Sequence, residues 1–275
     1  MADEKIKKVG RQILAKYNEI PPMPEVFEKI VNAIKIPSTS AQVLADIISE
    51  NKEIETKTLA LVNSPFYNYR QNITSINKVI LLLGVMRTKN IALALSLKSL
   101  MLEKGTPELW EHSVKCAVAS EMLAKEHQII NPDDAFVIGF LHDIGKLILN
   151  SANPSKYSKI KNIVQKGNHE LIEVEDAQFG TNHQILGALI SKRWQLPVIL
   201  TNCIRYHHTP LQSPLPSVSG IAYVADRLTR PEMPTPLLES EIMNKLEFTI
   251  NNPVTVRETI MAKAGLFWKV ISEED

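Results

Sequence analysis

The run Phe140-Leu141-His142-Asp143-Ile144-Gly145-Lys146-Leu147-Ile148-Leu149 constrains this chain more than any other stretch. On a helix, Phe140, Leu141, Ile144, Leu147 and Ile148 recur at the i, i+3, i+4 spacing of a buried stripe. His142 and Asp143 stand about 100° apart around such a helix, so both can reach a centre lying between them. Lys146 follows one turn after His142, on the same side. A histidine and an aspartate beside a core-facing stripe are costly to bury unless they are paired. The run therefore predicts an interior helix that carries a polar site, with partners supplied from elsewhere in the chain.

The remaining sequence is helical in pattern. Ten glycines, few alternating Thr/Val runs and 16 prolines suit many short helices separated by breaks. Apolar recurrence predicts a helix over 3–18 and another opened by Pro24 that buries Val26, Phe27, Ile30, Val31 and Ile34. Ser40 is expected to cap a helix with Val43, Leu44, Ile47 and Ile48 on its inner face. A helix over about 53–63, a turn from Asn63 to Asn68, and a short helix from Ser75 to a C′ glycine, Gly84, come next. One long helix is expected from Val85 to Leu102, and Gly105-Thr106-Pro107 marks a subdomain boundary. Beyond it, helices are expected from Pro107 to His127 and from an Asn131 cap through His142. Further helices are expected over 155–167 and 169–179, then from His183 (capped by Asn182) to Arg193 and from Pro197 to Tyr206. Those over 217–230, 238–248 and 253–270 close the chain. The fold class is all-α.

Composition excludes several functions. Net charge is +1, with 31 basic and 30 acidic residues, so bulk electrostatics give no nucleic-acid-binding surface. The N-terminal stretch has no signal-peptide core and no run of 18 apolar residues occurs, so no membrane segment is expected and the cytoplasm is the expected compartment. Ile91–Met101, the longest apolar-looking segment, is interrupted by Ser96, Lys98 and Ser99. Cys116 and Cys203 read as reduced core thiols.

Partners for the central pair are available. His112, His183, His207, His208 and Asp226 each border an apolar helix face or a helix end. Together with His142 and Asp143 they form a candidate set for two divalent metal ions. Imidazoles and carboxylates without thiolates favour iron or manganese over a structural zinc site. Such a centre would generate hydroxide at neutral pH, and Lys146 could hold a phosphate as a point charge. Each residue has an ordinary alternative: His207-His208 suits a helix C-terminus, Asp226 could pair with Arg227, and Lys146 could mark a solvent edge. Glu108, one turn before His112, is a further candidate or a solvated helix start, whereas His127 and His169 sit in polar surroundings and are expected to be ordinary residues. Spacing does not show that the seven converge.

The order His112, His142-Asp143, Asp226 resembles the ligand order of the HD superfamily of metal-dependent phosphohydrolases. With Lys146, His183 and His207-His208 it is similar to the HD-GYP branch, which hydrolyses cyclic di-GMP. Pro21-Pro22-Met23-Pro24-Glu25, Leu61-Val62-Asn63-Ser64-Pro65-Phe66-Tyr67 and Ile76-Asn77-Lys78-Val79-Ile80-Leu81-Leu82-Leu83-Gly84 resemble the HDOD domain, a bacterial signalling module. So do Leu109-Trp110-Glu111-His112-Ser113 and Trp194-Gln195-Leu196-Pro197, and the likeness covers roughly residues 10–230. It implies an N-terminal helical subdomain (1–105) packed on an HD-like, metal-binding subdomain (106–232), with C-terminal helices over 233–275. It also implies one metal on His112, His142, Asp143 and Asp226, and a second on His183, His207 and His208, bridged by Asp143. Lys146 matches the HD-GYP lysine that contacts substrate phosphate. Two features depart from the enzymes. Thr209-Pro210-Leu211-Gln212 stands where HD-GYP proteins carry Gly-Tyr-Pro, and HDOD proteins commonly lack the ligand set that this chain keeps. The expected role is regulatory, through a signalling protein partner or a nucleotide ligand; the alternative is a phosphodiesterase or phosphohydrolase with Asp143 and Lys146 as catalytic residues.

Overall fold

The computed structural model describes residues 8, 12, 22–34, 41–166, 170–230 and 240–272, and every regular element among them is helical. The helix expected over 3–18 falls outside these residues except for Lys8 and Gln12, and so do the Ser40 cap and His169. The N-terminal half comprises α1 (Glu25–Ile34), α2 (Ala41–Glu50), α3 (Lys52–Val62), α4 (Ile76–Leu83), α5 (Val85–Ser96) and α6 (Lys98–Lys104). The second half comprises α7 (Pro107–His127), α8 (Pro132–Leu141), α9 (Lys146–Ala152), α10 (Pro154–Lys166), α11 (Leu171–Phe179), α12 (His183–Arg193), α13 (Val198–Tyr206) and α14 (Pro216–Thr229). The closing helices are α15 (Ser240–Lys245) and α16 (Pro253–Ser272).

Local chemistry sets many of these starts. Asn51, Ser75, Thr106 and Asn182 each accept a hydrogen bond from the amide three residues on, satisfying one otherwise orphaned N–H. Gly84 links α4 to α5 at φ +84° and ψ +163°, a conformation open essentially to glycine alone.

Two expectations are corrected. The single helix from Val85 to Leu102 is two, α5 and α6, because the chain tightens at Leu97, whose amide bonds to Ala94 three residues back. The Ser96 hydroxyl donates to the Leu93 carbonyl at 2.8 Å, the back-bonding that bends helices. In α2, Leu44 and Ile48 are buried and Ile47 packs partly, but Val43 is 44% exposed because the inner stripe is narrower than expected.

Helix α7 is the axis of the second half, packing on α8, α14 and α16. Its Trp110, Val114, Ala117 and Val118 join the larger apolar core, which runs from Phe27 to Ile271 and draws residues from both sides of Gly105. Its Ala119, Leu123 and Ala124 join a second cluster around Tyr223, Leu246 and Phe248. Full burial of each large apolar side chain stabilises by about 1.5–3 kcal/mol. Pro132–Ala152 has the length and composition of a membrane span, but 72% of its most apolar window is buried inside the fold.

Candidate metal centre

The central run folds as helix, tight turn, helix, which corrects the single helix expected from Asn131 through His142. Helix α8 ends at Leu141, and α9 begins at Lys146. Between them the amides of Ile144 and Lys146 bond three residues back, to Leu141 and Asp143, at 3.0 and 2.9 Å. The predicted stripe survives the break: Phe140, Leu141, Ile144, Leu147 and Ile148 are all buried. Glycines explain why the turn lies so deep. A Cβ on Gly145 would sit 1.9 Å from the His183 carbonyl oxygen, and one on Gly139 would sit 2.3 Å from that of Cys116. Backbone therefore meets backbone on both sides, drawing His142 and Asp143 against α7 and α12.

Five helices bring the seven predicted residues together. His112 lies on α7, His183 is the first residue of α12, His207 and His208 follow α13, and Asp226 lies on α14. Their donor atoms fall into two groups, each within 4.8 Å: His112, Cys116, His142 and Asp226, and then Asp143, His183, His207 and His208. Asp143 faces both. Its Oδ2 lies 3.5 Å from His112 Nε2 and 3.3 Å from His142 Nε2, while its Oδ1 lies 3.3 Å from His183 Nε2 and 3.5 Å from His207 Nε2. In the first group Asp226 Oδ1 lies 3.1 Å from His112 Nε2. In the second, His183 Nε2 lies 3.1 Å from His207 Nε2 and 3.0 Å from His208 Nε2.

Outer hydrogen bonds fix the ring orientations. Nδ1 of His142 meets the Gly139 carbonyl at 2.7 Å, Nδ1 of His207 meets that of Ile204 at 2.8 Å, and Nδ1 of His183 meets Glu175 Oε2 at 2.6 Å. Oxygen acceptors require the proton on Nδ1, so each neutral ring turns a bare Nε2 lone pair inward. With both rings in that tautomer, the lone pairs of His183 and His207 face each other at 3.1 Å with no proton between them. His142 Nε2 and Asp143 Oδ1 are buried with no hydrogen-bond partner. Converging, unsatisfied nitrogen and oxygen lone pairs suit a divalent cation.

Electrostatics agree. Burial pushes His207 down to about 3 and lowers His112 and His208, keeping these rings neutral. Burial pulls against His142 as well, but the Asp143 carboxylate outweighs it and raises the group. For Asp143, burial favours the acid, yet His142 and Lys146 hold it well below the usual carboxylate range. Asp226 is held low in the same way, by Arg230 and His112 against burial. The Lys146 ammonium donates to Asp143 Oδ2. Arg230 reaches Asp226 with Nε at 2.9 Å from Oδ1 and Nη2 at 2.7 Å from Oδ2. A cavity of about 430 Å³ adjoins the first group, lined by His112, Lys115, Lys146, Asn150, Tyr157 and Arg230 among others.

Glu108 also borders that cavity. His127 packs on Phe248, with ring centroids 4.8 Å apart. The partner of Asp226 is Arg230 and not Arg227, which lies over the Tyr223 ring at 3.5 Å. Sequence reasoning missed three residues of the site. Cys116 and Arg230 each follow a predicted residue by one helical turn, and that spacing was the available signal. Glu175 repeats the pattern of the central run, a carboxylate on the apolar stripe of its helix beside Leu171 and Val174.

The HDOD domain family model matches residues 20–210. The chain belongs to the HDOD domain family. HDOD structures share its helical fold: a Geobacter sulfurreducens HDOD domain protein of unknown function superposes with a TM-score of 0.81 at 21% identity, over 97% of this chain and 98% of that one. A Shewanella amazonensis SB2B protein, named as a candidate phosphohydrolase, superposes with a TM-score of 0.76 at 19% identity, over 94% and 97% of the two chains. An uncharacterized Treponema pallidum (strain Nichols) protein is 24% identical over 224 residues, which cover 78% of this chain but 43% of that relative. The chain thus spans less than half the length of the curated relative it matches.

Proposed function

We propose that this chain is an HDOD-type regulatory module of bacterial, cytoplasmic signalling whose HD-like half holds two divalent metal ions and takes a phosphate-bearing nucleotide in the adjoining cavity. The observation that carries the reading is the Asp143 carboxylate, which turns one oxygen to each ligand group. His112, His142, Asp143 and Asp226 would hold one ion, and Asp143, His183, His207 and His208 the other. Donors this rich in nitrogen and oxygen favour iron or manganese. A bound ion pair supplies acidified water and neutralises phosphoryl charge.

The chain's own residues prepare the rest. Glu175 accepts from both the backbone amide and the Nδ1 of His183, fixing the ring that faces Asp143. Lys115, Lys146 and Arg230 give the cavity wall three cationic groups that a phosphate would recruit from their partners Glu111, Asp143 and Asp226. A signalling protein partner would then respond to occupancy of the cavity.

Hydrolysis of the bound phosphate ester is the second reading, favoured by the completeness of the ligand set, with Asp143 and Lys146 at its centre. Elemental analysis of protein purified without chelator tests the metal. Bound iron or manganese, up to two equivalents and absent from Asp143→Ala, is expected; protein without metal after anaerobic handling and added iron overturns the reading. Nucleotides that bind the loaded protein are then assayed for turnover, and an active, metal-free Asp143→Ala protein would sink the hydrolase.

A further inference from the structure

The two halves of the centre are not balanced in charge. The second group presents three imidazoles and Asp143 Oδ1, a buried oxygen without a hydrogen-bond partner. No lysine or arginine is bonded to those atoms among the described residues. The first group already has fixed cations on its carboxylates: Arg230 contacts both oxygens of Asp226, and Lys146 takes Asp143 Oδ2. Asp226 is 1% exposed, so its two oxygens have little room for other donors. Arg230 leaves α14 one turn after Asp226, and its side chain also lines the cavity, into which it could withdraw.

We propose that Arg230 acts as a built-in competitor for the metal of the first group, so that the folded chain binds one divalent ion tightly, in the second group, and admits the other only when Arg230 leaves Asp226. This rests on the reading of the cluster as a metal centre. An arginine held on a ligand by one helical turn is an intramolecular cation at high effective concentration. Its pairing must be lost before a dication gains the full charge of Asp226, and a unit positive charge left a few ångströms away repels the incoming ion in a poorly screened interior. Removing it should tighten the weaker site by about tenfold or more. Arginine cannot lose its proton in a protein, so only movement clears the site.

Manganese(II) is the probe. The chain is stripped by chelator, loaded and desalted, and the retained ion is counted by elemental analysis alongside a calorimetric titration. The wild-type chain is expected to retain one ion tightly and a second at least tenfold more weakly. Arg230→Gln is expected to retain two, whereas Arg230→Lys, which keeps the charge, behaves as wild type. Adding His183→Ala to Arg230→Gln should return the count to one, which assigns the two ions to their groups. Two equally tight ions in the wild-type chain would overturn the proposal without any variant, and so would loss of an ion in Arg230→Gln, which would make Arg230 a residue that positions Asp226. No ion in wild type or variant would instead overturn the metal centre itself.

Discussion

Two buried polar clusters lie towards opposite ends of α8, and they differ in what their groups face. Around Arg87 every charge meets its opposite. Arg87 Nη1 lies 2.6 Å from Glu121 Oε2, its Nε donates to the Tyr67 hydroxyl at 2.9 Å, and its guanidinium sits 4.8 Å from the Phe136 ring. Lys125 takes the other Glu121 oxygen at 2.7 Å. Around Asp143 like groups face each other instead, imidazole nitrogen to imidazole nitrogen, with buried acceptors unmatched. The first arrangement holds helices in place. The second gathers negative charge and lone pairs, and the chain answers part of that with Lys146 and Arg230. The difference teaches that burial of charge is not itself a sign of a site; acceptors that converge on one another are.

The comparison breaks most sharply at Asp143. Asp143→Ala should abolish retention of metal at both groups, counted by elemental analysis, with circular dichroism confirming that the helices remain. Arg87→Met should do the reverse. It leaves Glu121 buried with only Lys125 as a partner, so urea unfolding should show a loss of about 3 kcal/mol while the metal content is unchanged. Glu175→Gln removes the charge that fixes His183, and calorimetry should record metal binding about 10–100-fold weaker with little change in the unfolding midpoint of the metal-free protein.

Acid separates the clusters more gently. His112, His207 and His208 have folded values below the unfolded one, His207 at about 3, and so bind protons more readily when unfolded. Stability of the metal-free chain should therefore be full above about pH 6.5 and fall as the pH drops from there towards 3, with a slope on the order of 1 kcal/mol per pH unit for one such histidine. The lowered Asp143 and Asp226 add to that loss at the acid end, and the raised His142 opposes it. Arg87 stays charged throughout. Denaturant curves between pH 7 and 5 check this, and a flat profile would show that the histidine cluster is not neutral in the folded chain.

Much of the molecule was legible before folding was considered. Thr106-Pro107 and Asn182-His183 announced the starts of α7 and α12, and α7 runs over the predicted residues, because caps and prolines act within one turn of chain. The helix break at Leu97 was not legible, since Val85 to Leu102 has no glycine or proline to mark it and the bend comes from a serine bonding back to its own helix. The seven site residues were chosen because polar groups beside apolar stripes need a reason. Glu175, Cys116 and Arg230 carried similar signals at helical spacing, yet nothing local distinguished them from ordinary core or surface residues.

The sequence by itself determined the helices, the all-α class and which side chains could serve a metal, because propensity, capping and apolar recurrence are settled over a few residues. Only the tertiary structure decided that His112 and Asp226, far apart in the chain, share a group, and that Asp143 stands between two groups. Those choices depend on backbone approaches at Gly139 and Gly145 that no local pattern encodes, since each is set by a helix remote in sequence pressing against a place where a Cβ is missing.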